Sequence, residues 1–165
     1  MKSAIRTFPL VILALFCMGM AQKPPAISVR FFAEANKRDS STFSSPIALN
    51  NSEHTMYIEK IPAITERSFR SIYPFHSTDG TWGCSFKLDE KGTMDLEVVT
   101  TSQRGRLMLA FILTKEANHQ VCEMLIDQRI SDGIITIPSG ITDSEMQQLM
   151  KVYPVMGQAR PTKKK

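Results

Sequence analysis

Tryptophan occurs once in this chain, at Trp82, cysteine three times and histidine three times, and no stretch spells a catalytic or cofactor motif. That shortage excludes the chemistries announced by fixed spacings, and no cofactor, metal or catalytic residue is assigned from the sequence. No internal repeat is visible, so a solenoid or propeller is not expected. Long apolar runs are also scarce: one lies near the N-terminus and no second follows, which leaves no integral membrane span once that segment is removed.

The apolar run follows Lys2 and Arg6 and extends from Phe8 to Met20. It is shorter than the ~20 residues that a spanning helix needs, and it suits the core of a secretory signal. Gly19 and Ala21 supply small residues for cleavage before the polar Gln22-Lys23-Pro24-Pro25 stretch. Residues 1–21 are therefore read as a signal peptide, with retention as an anchor the alternative. Leu15 and Phe16 argue against lipid attachment at Cys17, because a lipoprotein needs small residues before its cysteine. Removal of 21 of the 165 residues leaves 144, about one domain with one core. The expected organisation is a linker at 22–26, a domain at 27–156 and a basic tail at 157–165, in a periplasmic or secreted protein.

Charge excludes a nucleic-acid partner. Of the 20 basic side chains, two lie in the leader and four at Arg160, Lys163, Lys164 and Lys165, so residues 22–159 carry 14 basic against 16 acidic groups. A net charge of −2 offers no basic groove. Cys84 and Cys122 remain after processing, and in an oxidising compartment they either form a disulfide or stay as two buried thiols.

Strands are expected at Ile27–Glu34, Pro46–Leu49, Thr55–Ile61, Arg106–Leu113, Gln120–Ile126 and Ile134–Ile137. Trp82, Cys84, Phe86 and Leu88 alternate with Gly83, Ser85 and Lys87, the period of a strand with one buried face. Thr65 is expected to cap a short helix carrying Phe69 and Ile72 and stopping before Pro74. Thr93–Ser102 is ambiguous: Val98, Val99, Thr100 and Thr101 favour a strand, while Thr93 as a cap with Leu96 and Val99 allows a helix. Pro138-Ser139-Gly140 reads as a turn. Thr142 and Glu145 form a capping box for a helix with Met146, Leu149, Met150 and Val152 as its apolar stripe. The sum is an α+β domain: a mostly antiparallel sheet with two or three helices packed on it. Its buried face is expected to include Trp82, Phe86, Leu88, Leu109, Phe111 and Leu125.

The order of these segments resembles a known family. Tyr57-Ile58-Glu59-Lys60-Ile61-Pro62, then Cys84-Ser85-Phe86-Lys87-Leu88, then Asp89-Glu90-Lys91-Gly92 follow the pattern of the head of the first periplasmic domain of SecD, a membrane-embedded accessory of bacterial protein export. Gly105, Leu109-Ala110-Phe111-Ile112-Leu113, Val121, Ile130 to Gly140, Thr142 and Glu145 continue it, so that the resemblance spans roughly residues 55–153. It departs after the apolar strand, where Thr114 to Asn118 replace an acidic residue and glycine. The resemblance implies a helix at Thr93–Ser102 and a SecD-head-like fold. It also implies a protein-binding role, toward an extended polypeptide or an envelope or secretion protein. The transmembrane helices through which SecD uses a proton gradient have no counterpart in residues 55–153, so proton-driven motion is not implied.

Other groupings weigh less. His119 and Cys122 stand three apart, but zinc needs three or four ligands and no second pair sits at a usual spacing. His76, Asp79 and nearby serines lack a nucleophile elbow. Ser139-Gly140 before a helix resembles a small anion site but reads more simply as a turn. The ten methionines suit either a core or an adaptable binding surface. Trp82 and the Phe31-Phe32 pair read as packing, with one ring of the pair facing outward if the segment is a strand. The expected function is thus a non-enzymatic bacterial envelope protein that binds protein. The alternatives are a structural or assembly domain, or an enzyme without a recognisable motif.

Overall fold

The computed structural model describes residues 26–49, 55–115 and 117–157. The signal segment, linker residues 22–25, the turn expected after Leu49 with His54, and the tail beyond Gly157 lie outside the described residues.

Strand β1 (Ile27–Ala33) alternates cleanly: Ile27, Val29, Phe31 and Ala33 are buried, and Arg30 and Phe32 face the other way. It pairs antiparallel with β6 (Leu107–Thr114), and β6 pairs with β7 (Asn118–Leu125), giving the order β1-β6-β7. β4 (Phe69–His76), β5 (Trp82–Leu88) and β8 (Ile134–Ile141) form a second antiparallel sheet in the order β4-β5-β8. β2 (Ser44–Ala48) and β3 (Thr55–Glu59) make a hairpin joined to the end of β1 by a bridge between Glu34 and Ile58. Among the described residues the α-helices are α1 (Glu90–Ser102) and α2 (Asp143–Val152).

The core lies between the inward faces of the two larger sheets, with Leu96 and Val99 of α1 and Met146 and Leu149 of α2 packed into it. At its centre the rings of Phe31 and Phe86 are 6.1 Å apart and those of Phe69 and Phe86 4.7 Å, with Phe31 edge-on to both partners. Such geometry suits the ring quadrupoles and adds to the apolar area removed from water. The α+β class with antiparallel sheets follows the expectation, and among the described residues the α-helices number two, with a 3-10 turn at Glu66–Ser68.

That 3-10 turn replaces the helix expected after Thr65. Phe69 and Ile72 lie three apart, which looks helical, yet both belong to β4. A bulge between Phe69 and Ser71 inserts Arg70 and resets the alternation, so that Phe69 and Ile72 reach the same buried face of a strand. Pro74 is tolerated there because β4 is the outer strand of its sheet.

Residues 138–140 are likewise not a turn. β8 runs through them, and Pro138, Ser139 and Gly140 stand opposite the single Gly83, between the pairs Cys84–Ile137 and Trp82–Ile141. Gly140 takes the positive φ that this bulge requires. Gly83 has no room for a side chain: a Cβ there would lie 2.3 Å from the Phe75 ring and 2.5 Å from the Pro138 carbonyl.

Between the two readings of Thr93–Ser102 the structure takes the helix, and it starts earlier, with Asp89 rather than Thr93 as its cap. The Asp89 carboxylate accepts from Gly92 N at 2.7 Å, while Thr93 Oγ1 donates back to the Asp89 carbonyl at 2.8 Å. Burial of Leu96, Val99 and Thr100 outweighs the β-branched propensity of the segment. The Thr142–Glu145 capping box forms, with Met146, Leu149 and the following Tyr153 as the buried stripe; Met150 and Val152 are exposed instead.

The expected buried face needs three corrections. Phe86 and Leu88 are buried in the core and Trp82 partly so, but Leu109, though fully buried, lies with Phe111 on the other face of β6, Phe111 packs there against Phe32, and Leu125 is 62% exposed. Met108, Ala110 and Ile112 of β6, and Cys122 and Met124 of β7, face the core in their place. Cys84 lies fully inside β5 and Cys122 is half-buried on β7, both as free thiols. Burial pushes the Cys84 thiol up to about 12 and that of Cys122 to about 11, so neither is a thiolate at neutral pH.

Two measurements test this core. Phe86→Ala should cost about 3–5 kcal/mol in chemical denaturation followed by Trp82 fluorescence, and a loss under ~1 kcal/mol would place Phe86 outside the core. With a thiol reagent at neutral pH, the exported chain should react slowly when folded and release both thiols on unfolding without reductant. If the unfolded chain shows none, Cys84 and Cys122 are paired.

Candidate functional site

Helix α1 turns Leu96, Val99 and Thr100 inward. At 100° per residue this leaves Met94 and Val98 on the outward side, one turn apart, where they are 58% and 66% exposed. Facing this side is the chain that leaves β3. Lys60 N donates to the Phe43 carbonyl at 2.9 Å, Ala63 N and Ile64 N donate to the Phe31 carbonyl at 2.8 and 3.3 Å, and Phe31 N returns a bond to Ile64 O at 3.0 Å. Ile61 stands out of this segment at 77% exposure.

The same segment is pinned further on by Arg30, whose Nε and Nη2 donate to the two Glu66 oxygens at 3.1 and 3.3 Å. Burial raises the Glu66 pKa, but the Arg30 bond, a backbone bond and the charges of Arg30 and Arg67 together outweigh it, so its carboxyl sits below the usual range. The pair is therefore charged at neutral pH, and the 60–66 segment is a fixed wall.

Between this wall and α1 lies a cleft of about 420 Å³. Pro62, Ala63, Val98 and Val99 give it apolar sides, and Glu59, Asp95, Ser102 and Gln103 give it polar ends. Gln103 Nε2 donates to Glu59 Oε1 at 3.3 Å, linking the two walls. Asp95 accepts from Lys91 Nζ at 2.6 Å. The lining contains two carboxylates and no basic side chain. Adjoining it, Ile61, Met94 and Val98 present apolar surface to solvent.

The sheet edges are less available. Residue Ile64 bridges to β1 at Phe31, and Val155 bridges to β4 at Ile72, with Ile72 N donating to Pro154 O at 2.9 Å and Met156 N to Ile72 O at 2.8 Å. β2 carries Pro46, which removes a ladder donor. On the outward face of β4-β5-β8, Tyr73 is exposed and the hydroxyls of Ser85 and Thr136 bond to each other at 2.8 Å.

Of the groupings singled out in the sequence, His119 and Cys122 take different partners, whereas Asp79 is joined by the side chains of Ser77 and Ser139. His119 Nε2 lies 3.5 Å from Glu145 Oε1, on the carboxylate that closes the α2 capping box, while Cys122 packs against the core. Among the described residues no group of three or more His, Cys, Asp or Glu side chains is placed to hold a metal ion. His76 stacks on Trp82 with ring centroids 3.7 Å apart, and Trp82 Nε1 donates to Asp143. Asp79 accepts from Thr81 N at 2.9 Å and Thr81 Oγ1 at 2.6 Å, bonds that hold its carboxyl below the usual range. Gly140 N, a donor that an anion at Ser139-Gly140 would need, gives its hydrogen to Thr81 Oγ1 at 2.7 Å. The methionines divide: Met108 and Met146 are buried, whereas Met94, Met150 and Met156 are exposed. The sequence reading did not single out Ile61, Met94 and Val98 as a cleft rim. The signal for Met94 and Val98 was the helical phase of Leu96 and Val99, which is readable only once the segment is taken as a helix.

No protein-family model matches the chain, and no match was found among curated proteins. Among the solved structures that are similar, two are of SecDF. One is of SecDF, a membrane component that enhances protein export: it shares 14% identity at a TM-score of 0.50, over 97% of this chain and 78% of that one. The other is a crystal structure of SecDF in its super-membrane-facing form, at 13% identity and a TM-score of 0.48, where 79% of this chain covers only 20% of that chain's length. At such identities the likeness is one of fold, and the fold of this chain is SecDF-like.

Proposed function

We propose that this is a bacterial envelope protein, exported by the leader at residues 1–21, whose domain at 27–156 binds extended polypeptide or a protein of the secretion apparatus and catalyses no reaction. It is on this proposal a relative of the SecD periplasmic head, working in the periplasm or outside the cell. Its first support is the fold shared with a membrane component that enhances protein export. The observation that carries it is the cleft beside α1, where apolar walls adjoin the exposed Ile61, Met94 and Val98. Apolar side chains clustered at a concave surface are the usual mark of a protein-binding site.

The role stops at binding. No helix among the described residues is long and apolar enough to cross a membrane, and the reading draws on none. A shallow cleft without a deep hot-spot pocket suits weak, sequence-tolerant capture, with an affinity near micromolar or weaker, about −8 kcal/mol or less favourable.

Titration of isotope-labelled protein with a reduced, unfolded model protein, followed by NMR, should give a contiguous patch of shifted amides, and common ester, phosphate and glycoside substrates should not turn over. Shifts that stay absent at millimolar ligand, or that scatter over the surface, would replace the binder reading with a structural or assembly role.

A further inference from the structure

Resting on that binding reading, we propose that the cleft between α1 and the Pro62 wall selects an extended segment by one cationic side chain, a lysine or arginine flanked by apolar residues. Three observations converge on this occupant. The charges lining the cleft are all negative, from Glu59 and Asp95. Glu59 is held by the neutral amide of Gln103, and among the described residues no cation comes within ion-pair distance of it. Asp95 pairs with Lys91, but that pair is a solvent-exposed i,i+4 contact with 77% of the Lys91 side chain accessible. Exposed pairs of this kind contribute little and exchange partners readily.

The walls match the rest of such a side chain. Lysine and arginine carry three or four methylenes that lie along apolar surface while the charged head stays with polar groups. Pro62, Ala63, Val98 and Val99 supply that surface between the two carboxylates, and Ile61 and Met94 extend it to the apolar neighbours of the cation. A volume of about 420 Å³ accommodates one or two side chains rather than a folded element.

Recognition through the backbone is disfavoured where the chain's own Ile64 and Val155 bridge the outer edges of β1 and β4, at Phe31 and Ile72. The carboxylates would repel acidic segments, so the site discriminates by sign of charge.

The test uses labelled protein in its exported form and three peptides of the same extended, leucine- and serine-containing sequence, differing at one central residue: arginine, norleucine or glutamate. The arginine peptide should bind about tenfold tighter than the norleucine peptide, a difference of ~1.4 kcal/mol, and the glutamate peptide more weakly than either. Shifts should centre on Glu59, Ala63, Val98 and Ser102, and half-molar salt should narrow the arginine advantage. The double variant Glu59→Gln, Asp95→Asn, with its fold checked by Trp82 fluorescence, should bring the arginine and norleucine peptides to near parity. Equal affinity in the parent protein, full arginine preference in the double variant, or a shifted patch around Tyr73, Ser85 and Thr136 would each overturn this site. The binder reading survives those outcomes as long as the unfolded model protein still binds, and falls with it only if that protein also produces no shifts.

Discussion

Phe31 carries the constraint on which the rest depends. Its ring lies in the buried cluster with Phe69 and Phe86, joining the two larger sheets across the core. Its backbone looks outward: the carbonyl accepts from Ala63 and Ile64, and the N–H donates to Ile64. One residue thus sets both the separation of the sheets and the position of the cleft wall. Apolar burial supplies the larger share of the free energy, and the hydrogen bonds convert that stability into placement. Arg30 repeats the arrangement one residue earlier by reaching Glu66 on the same wall segment. These bonds tie the wall to the core strand beneath it at two successive residues.

Much of this was legible where one periodicity ran without interruption. Trp82–Leu88 alternates over seven residues and forms β5 with those bounds, and the Thr142–Glu145 spacing names the cap of α2. Legibility failed at irregularities. In β4 a bulge turns a strand's period of two into an apparent period of three, so Phe69 and Ile72 imitate a helix face. In β8 the bulge at Pro138 to Gly140 looks like a chain reversal because it uses the residues that turns use. Arg106 to Leu113 is apolar almost throughout, and such a run names a strand but not which face is buried, hence the displacement of Phe111.

The segment Thr93–Ser102 shows the limit of local preference. Its β-branched residues favour a strand by propensity, whereas the resemblance to the SecD head implied the helix that forms. The decisive terms are tertiary: Leu96 and Val99 enter the shared core, and Thr100 Oγ1 both donates to the Leu96 carbonyl at 2.7 Å and accepts from Ile130 N at 3.0 Å, tying the helix to the chain before β8. The candidate site inherits this dependence. Read as a strand, the segment puts Met94 and Val98 on the face of Leu96, and Asp95 and Val99 on the opposite one. As a helix it places Met94 and Val98 in one exposed row beside Asp95, and half of the cleft comes into being.

The way the sheets end bears on what kind of ligand the fold admits. An exposed sheet edge binds through main-chain groups that every polypeptide shares, and it binds other copies of the same chain as readily, which makes it an aggregation hazard. Here the edges of β1 and β4 are occupied by Ile64 and Val155 from the chain itself, and β2 is blunted by Pro46. Side-chain surface is open at the cleft and at the polar outer face bearing Ser85 and Thr136. A protein of the proposed kind must hold unfolded chains without joining them as another strand. Bridged edges at β1 and β4 and a small apolar cleft with negative ends suit both demands, because the contact area is too small for tight binding and the cleft, unlike a strand, offers no ladder along which a second chain can continue.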